Sequence, residues 1–331
     1  MSITVGNLTL PNAALLAPMA GITDLPFRRI AARYGAGLVI SEMVASGELT
    51  TGRAATRAKA QIDPEAGVAA VQIAGREVGP MAEAARLTED AGASLIDINM
   101  GCPAKKVTSG WSGSALMRDP DHALSLIEAV ARAVEVPVTL KMRLGWCENS
   151  MNAPEIAARA EAAGVRMITI HGRTRQQFYK GVADWRAVAA VKAAVNVPVV
   201  VNGDIVDAET AIRARAASGA DAVMIGRGAQ GAPWTSGQIG AVIAGATPVA
   251  APEGDALLDL IQEHYEAMLA FYGVDLGLRI ARKHLSWYLR RLPNGEALRA
   301  TLMRAASPAD AIRELSAGFA DAASPSLEAA A

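Results

Sequence analysis

Eight short apolar runs rich in β-branched residues recur along the first two thirds of the chain, at 15–20, 38–42, 69–74, 95–100, 136–142, 167–172, 197–202 and 222–226. Each has the length of a strand, and most are apolar at both parities, as strands buried on both faces are. Between them lie Ala-, Glu- and Arg-rich stretches with helical spacing, at 79–91, 119–134, 154–163, 185–195 and 208–217; the interval 45–63 is the least regular. Alternating strands and helices predict a parallel sheet with right-handed crossovers. Ala91-Gly92-Ala93, Ala163-Gly164-Val165 and Ser218-Gly219-Ala220 each precede a strand, with the Gly placed to cap a helix C-terminus. Val136-Pro137-Val138 and Val197-Pro198-Val199 each open one, where Pro is tolerated. Eight such units fit a closed (β/α)8 TIM barrel. An open dinucleotide-binding sheet would carry GxGxxG after its first strand, and that fingerprint is absent.

A barrel of this kind takes about 250 residues, and the chain has 331. The surplus lies at the C-terminal end. Thr-Pro and Ala-Pro in 246–254 read as a linker, followed by helical spacing at 255–272, 276–292, 296–306 and 310–319. The expected division is a barrel over 1–245 and a small helical domain over 246–331, with 322–331 frayed. A 51% hydrophobic composition excludes general disorder. No apolar run approaches the ~20 residues of a membrane span. Met1 to Pro11 lacks the pattern of a signal peptide. Two cysteines cannot build a disulfide framework, so a cytoplasmic protein with reduced thiols and no membrane association is expected. The net charge of −1 gives by itself no hint of a nucleic-acid partner. It conceals a local excess in the helical domain, where Arg279, Arg282, Lys283, Arg290, Arg291, Arg299 and Arg304 surround the single acid Glu296. Such a run is either a solvated helix face or a nucleic-acid surface. Trp287 and Tyr288 within it read as core.

Active sites of such barrels form at the C-terminal ends of the strands. The unusual residues collect there: Pro18-Met19-Ala20-Gly21, Gln72, Asn99-Met100-Gly101-Cys102-Pro103, Lys141 with Arg143, His171-Gly172-Arg173-Thr174, Asn202-Gly203-Asp204 and Gly226-Arg227-Gly228. Unpaired polar groups inside apolar strands cost roughly 2–7 kcal/mol each, so several at one rim imply a polar ligand. Glycines ending the last two strands suit a phosphate held by backbone N–H groups, with Arg227 adding charge.

A thiol ordinarily titrates near 8.5 and keeps its proton at neutral pH, so Cys102, set in a turn by Gly101 and Pro103, can act as acid or nucleophile. Cys147 lacks such a setting. Lys141 has three readings: a Schiff-base lysine, a cation beside an anionic cofactor or intermediate, or a side chain snorkelling to the rim. His171 can hydrogen-bond a substrate carbonyl or move a proton. His122 and His264 read as helix-surface residues. No cluster suggests a metal.

The chain resembles bacterial tRNA-dihydrouridine synthases, most closely their B-type branch. The segments that carry the resemblance are Ala17-Pro18-Met19-Ala20-Gly21-Ile22-Thr23-Asp24 with Pro26-Phe27-Arg28, Ser41-Glu42-Met43, Val71-Gln72-Ile73-Ala74-Gly75, Asp97-Ile98-Asn99-Met100-Gly101-Cys102-Pro103-Ala104-Lys105-Lys106-Val107, Gly113-Ser114-Ala115-Leu116, Lys141-Met142-Arg143, His171-Gly172-Arg173-Thr174 with Asp184-Trp185, Asn202-Gly203-Asp204-Ile205, Gly226-Arg227 and Ala281-Arg282-Lys283-His284. It runs from the first strand to about Trp287. Ser109-Gly110-Trp111-Ser112 departs from it, where relatives usually have a basic or Gly-Ala stretch.

The resemblance implies an FMN enzyme that reduces a tRNA uridine to 5,6-dihydrouridine with NADPH as electron source. On that reading Pro18, Met19, Ala20, Gln72, Lys141, His171, Asn202, Gly203, Asp204, Gly226 and Arg227 hold FMN. Hydride goes to uracil C6, and Cys102 gives the proton to C5. Asn99, Lys141, Arg143 and His171 line the uracil. Lys105 and Lys106 beside the site, and Arg279, Arg282 and Lys283 in the helical domain, meet the RNA; no obligate protein partner is implied. The competing expectations are a Schiff-base aldolase using Lys141 and an FMN-dependent reductase of a small molecule.

Overall fold

The computed structural model describes residues 2–63, 67–293 and 295–323. Most of the expected fraying segment, 322–331, lies outside the described residues. A hairpin of β1 (Ile3–Val5) and β2 (Leu8–Leu10) comes first. The barrel strands follow: β3 (Ala14–Leu16), β4 (Leu38–Ile40), β5 (Val44–Ala45), β6 (Ala69–Ala74), β7 (Leu95–Met100), β8 (Val138–Arg143), β9 (Ile168–His171), β10 (Val199–Asn202) and β11 (Ala222–Ile225). The order β4-β3-β11-β10-β9-β8-β7-β6 is parallel throughout and closes through β4–β6, giving an eight-stranded (β/α)8 barrel. β5 continues the second strand alongside β6 after a break at Ser41-Glu42-Met43.

Period-two alternation sorts every strand. Val71 and Ile73, Ile96 and Ile98, Leu140 and Met142, Ile168 and Ile170, and Val199 and Val201 pack in the layer shared with the helices. The opposite parity faces the barrel axis. At its lower end Leu15, Leu38, Ala70, Leu95, Val200 and Ala222 form a separate apolar cluster with Ile3, Val5 and Leu10 of the hairpin. Higher up, the same parity carries Gln72, Asp97, Asn99, Thr139, Lys141, Arg143, Thr169, His171 and Asn202. The polar residues of the apolar strands are therefore the upper layers of the barrel interior.

The first strand ends four residues before its expected limit, because Pro18 offers no N–H and the Met19 carbonyl accepts from Ile22 and Thr23 to make a turn. The fifth and seventh strands start two residues late, after Pro137 and Pro198, whose carbonyls still accept from Ile96 and Ile168. Gly92, Gly164 and Gly219 take positive φ at helix ends. Asp24 caps helix Leu25–Arg33 by accepting from Phe27, and Asp207 with Thr210 forms a capping box on helix Ala208–Ser218. Helix Thr235–Ile243, absent from the periodicity, follows the last strand. Its Gly237 and Gly240 leave no room for a Cβ against the backbone of Tyr34 and the side chain of Asn12, so close packing has replaced the apolar signal.

The described residues divide into two compact units, one of those up to 229 with 234–249, the other of 230–233 with those from 250 to 323. The second unit thus takes in a short segment ahead of the expected linker. It comprises helices Gly254–Tyr272, Val274–Leu289, Gly295–Leu302 and Pro308–Ala323. His264, expected on a helix surface, is fully buried there: its ring meets His284 at 4.9 Å, and Nδ1 lies 3.0 Å from the Tyr288 hydroxyl. Gly254–Tyr272 buries Leu257, Leu260, Ile261, Tyr265 and Met268 on the same face, which carries His264 inward. Tyr288 is core as expected, and Trp287 is half-buried. No helix among the described residues is long and apolar enough to cross a membrane.

Candidate active site

The inward parity of β6, β7 and β8 builds a continuous hydrogen-bond chain. Thr139 donates to Asp97 Oδ1 at 2.6 Å, and Gln72 Nε2 donates to Asp97 Oδ2 at 2.6 Å. Asn99 Nδ2 donates to Gln72 Oε1 at 2.7 Å. Asn99 Oδ1 in turn accepts from the backbone N–H of Gly101 at 3.2 Å and of Cys102 at 3.0 Å. Strand register makes this possible, since Gln72 pairs with Asp97 and Asn99 with Lys141. Burial pushes the Asp97 carboxyl above the usual range, against its two side-chain donors and the charge of Lys141. The chain ends by fixing the turn that presents Cys102, a free and partly exposed thiol. Ser114 holds the far side of that turn, donating from backbone N–H and hydroxyl to the Cys102 carbonyl.

Lys141 reaches Asn202 Oδ1 at 3.3 Å, while Asn202 Nδ2 donates to the Met224 carbonyl at 2.8 Å. Burial pulls the Lys141 ammonium down to about 8; Asp97 and Cys102 oppose the shift and Arg143 adds to it. Arg143 is fully buried, and its Nε and Nη1 donate to backbone: Nε to the Gly101 carbonyl at 2.8 Å, Nη1 to Thr174 at 3.0 Å and Phe178 at 2.9 Å. It ties the loop after β7 to the loop after β9.

His171 is held well below the ordinary imidazole range by burial first, then by the charges of Lys141, Arg143, Arg173 and Arg227. Both effects favour the uncharged imidazole. Arg173 Nη1, which can only donate, lies 3.3 Å from His171 Nε2, so Nε2 accepts and the proton sits on Nδ1. Arg173, 1% exposed, also donates to Asp204 Oδ2 at 2.6 Å and to the carbonyls of Lys180 and Gly181. Burial raises Asp204, but Arg173, the Ala183 N–H and Arg227 outweigh it and lower its carboxyl.

Gly203 and Asp204 both have positive φ, 116° and 53°. A side chain at Gly203 would press on His171 and Ala183. Among the described residues, nothing accepts a hydrogen bond from the N–H groups of Gly203, Asp204, Gly226 or Arg227. Arg227 is exposed beside them, 3.4 Å from Asp204 Oδ1. Free N–H groups, an exposed guanidinium and the Lys141 ammonium make a donor set suited to an anionic, phosphate-bearing cofactor. Met19 and Ala17 lie within 4.0 Å of where a side chain at Gly226 would begin, so the ends of β3 and β11 converge. Pro18 and Met19 are half-buried there, and Ala20 is exposed.

The rim thus gathers the residues expected from Pro18 to Arg227. Lys105 and Lys106 are exposed on the short helix Lys105–Thr108 that follows Cys102. In the second unit Arg279 and Arg282 are exposed and Lys283 is half-buried, all on helix Val274–Leu289. Cys147 lies 3.3 Å from Ser150 Oγ, outside these networks. His122 bonds the Arg76 carbonyl at 2.7 Å. Four residues receive no assigned role from the sequence, although Asp97, Glu42 and Arg173 lie in the segments that carry the resemblance. Asp97 was legible as an acid at inward parity between Leu95 and Asn99. Glu42, buried at the break in the second strand, accepts from the Gly21 N–H. Arg173 and Tyr179 needed tertiary structure; the Tyr179 ring lies 5.6 Å from the Arg143 guanidinium, 5.3 Å from that of Arg227 and 6.3 Å from the His171 ring.

Comparison with known proteins agrees with this architecture. The dihydrouridine synthase (Dus) family profile matches residues 15–324. A probable tRNA-dihydrouridine synthase of Rhodobacter capsulatus is 62% identical over 322 residues, covering 97% of this chain and 99% of that protein. One of Rhizobium leguminosarum bv. phaseoli is 57% identical, covering 86% and 87%. The tRNA-dihydrouridine synthase B of Xanthomonas campestris pv. campestris is 46% identical, covering 92% of each. Among solved structures, histamine dehydrogenase from Rhizobium sp. 4-9 superposes with a TM-score of 0.55 at 13% identity, covering 80% of this chain and 50% of that one. A morphinone reductase mutant in complex with tetrahydroNAD superposes with a TM-score of 0.52 at 15% identity, covering 77% and 93%. These two share the fold. By the family profile, and by relatives that align along nearly their whole lengths, the chain belongs to the tRNA-dihydrouridine synthase family of oxidoreductase enzymes.

Proposed function

We propose that the enzyme works in the cytoplasm and reduces specific uridines of tRNA to 5,6-dihydrouridine, with FMN held at the barrel mouth and NADPH as reductant. The observation that carries this reading is the hydrogen-bond chain from Asp97 to Cys102, which fixes the turn carrying a partly exposed thiol at a rim lined by Lys141 and His171. The chemistry a bound FMN supplies is hydride delivery to uracil C6. Gly203, Asp204, Gly226 and Arg227 would hold the phosphate through N–H groups and one guanidinium; Pro18, Met19, Ala20, Gln72, Asn202 and His171 would frame the ring. Lys141 would face the electron-rich end of the ring, where a neighbouring anion restores the proton that burial weakens.

Cys102 gives its proton to C5 of the base, and water later restores it. Neutral His171, with its proton on Nδ1, offers a donor for a uracil carbonyl. Asn99 and Arg143 hold the turn at Gly101 and Cys102, and the remaining N–H donors of Asn99 Nδ2 and Arg143 Nη2 are left to meet the uracil. The base must leave its stack to enter the barrel, which costs less in a tRNA loop than in a duplex. Lys105, Lys106, Arg279, Arg282 and Lys283 would meet the phosphates.

Two measurements test the reading. Purified protein should be yellow with flavin absorbance. Mapping dihydrouridine in tRNA from cells lacking the protein, with and without complementation, should reveal positions lost and restored. An unchanged map would refute the function.

A further inference from the structure

A layered stack of tryptophans and arginines lies outside the catalytic network. Trp111 and Arg118 come from the segment after β7, Trp146 from the loop after β8 and Arg175 from the loop after β9. The Arg118 guanidinium sits 5.2 Å from the Trp111 ring centroid and 4.9 Å from that of Trp146. Arg175 sits 4.8 Å from the Trp146 centroid. Ring and cation therefore alternate across three consecutive loops of the barrel's catalytic face.

The stack is fixed to the reactive turn. Arg175 Nη2 lies 3.4 Å from Thr108 Oγ1. The Trp111 N–H donates to the Thr108 carbonyl and that of Ser112 to Val107. Trp111 has φ 56°, a left-handed backbone costly for a bulky residue, held by these bonds. Two residues on, Gly113 packs against the Cys102 carbonyl and Cβ. Trp111 is nevertheless 52% exposed. Among the described residues no carboxylate pairs with Arg118, Arg175, Lys105 or Lys106.

We infer that this stack is a platform for an unpaired nucleotide next to the target uridine: its base lies on Trp111, and its phosphates meet Arg118 and the neighbouring lysines. The inference rests on the reading of the substrate as a tRNA uridine, and it names what receives the flanking nucleotide when that uridine leaves its stack. Exposed rings accept any base face, and unpaired cations accept phosphate. An open indole backed by a cation that no carboxylate pairs matches RNA better than a protein surface, which would bring a closed apolar contact.

The test compares Trp111→Ala, Trp111→Phe and Arg118→Glu with wild type, each loaded with flavin and checked by absorbance and melting temperature. Affinity for an unmodified tRNA transcript is measured by anisotropy, and turnover by dihydrouridine formation. Trp111→Ala should weaken tRNA affinity and raise KM about ten-fold, with the smaller part of the loss in kcat. Trp111→Phe should recover most of it, and Arg118→Glu should weaken binding in a salt-dependent manner. Affinities of Trp111→Ala within two-fold of wild type, or no rescue by Phe, overturn the platform. Failure of the functional reading itself would look different: flavin-loaded wild type would form no dihydrouridine.

Discussion

Lys141 carries a charge that the fold disfavours, and its replacement by Met makes that measurable. In the folded chain the ammonium titrates near 8, against an ordinary 10.5, with burial as the main cause. At 1.36 kcal/mol per unit of pH this amounts to roughly 3 kcal/mol borne by the charged form at pH 7. Met fills similar volume without a charge. It forfeits the contact with Asn202, worth about 1 kcal/mol, so flavin-free Lys141→Met should be more stable than wild type by about 1–2 kcal/mol at pH 7. The sign with pH follows from proton counting. Between pH 8 and 10.5 the unfolded chain holds more protons at this lysine than the folded one, so wild-type stability rises across that window. The contribution is fully present above 10.5 and is lost as pH falls through 8. The advantage of the variant should therefore shrink by about 1 kcal/mol per unit between pH 8 and 10.5. Urea unfolding of flavin-free barrel, followed by near-ultraviolet circular dichroism at pH 7 and 9.5, reads both effects. A variant less stable than wild type at pH 7, or a difference independent of pH, would refute the claim that Lys141 is electrostatically strained. Flavin binding should weaken in the same variant, a trade of function against stability.

Other substitutions probe neighbouring parts. Cys102→Ala should retain flavin and its reduction by NADPH yet lose at least a hundred-fold in dihydrouridine formation, by mass spectrometry of the product; unimpaired synthesis would remove the proton donor. Asp204→Asn strips the buried Arg173 guanidinium of its carboxylate and should cost about 2 kcal/mol, less than a fully buried pair because Asp204 is partly exposed; an unchanged denaturation midpoint would contradict this. Arg282→Glu with Lys283→Glu should weaken tRNA binding at least ten-fold at physiological salt without loss of flavin absorbance, and equal affinity would take this helix off the RNA surface. Gly237→Val should lower the melting temperature by several degrees, since a side chain there meets the Tyr34 backbone.

The barrel was legible because strands buried on both faces leave apolar runs that helices do not. The rim was legible for the converse reason: Gln72, Lys141 and Asn202 are polar residues that apolar strands exclude without a use. Their division of labour was not legible. Asn99 and Arg143 look like ligand residues in sequence, and the structure adds a second task, since each also supports the Cys102 turn. Only the register, which sets Gln72 beside Asp97 and Asn99 beside Lys141, reveals that. Helix Thr235–Ile243 was hidden because close packing selected glycines over apolar residues. His264 misled because a polar residue on a helix reads as exposed, whereas its place among Leu260, Ile261 and Met268 turns it inward.

The hairpin of the first ten residues has a bearing on chemistry at the opposite end of the barrel. Ile3, Val5 and Leu10 seal the interior from below, against Leu95 and Ala70. Asp97 stands one inward position above Leu95, and dryness is what holds its carboxyl toward the protonated form. Loosening the hairpin would admit water to that layer, let Asp97 ionise more readily and alter how firmly it grips Gln72. The set of the Cys102 turn thus depends on a waterproof floor supplied by residues that never approach the substrate.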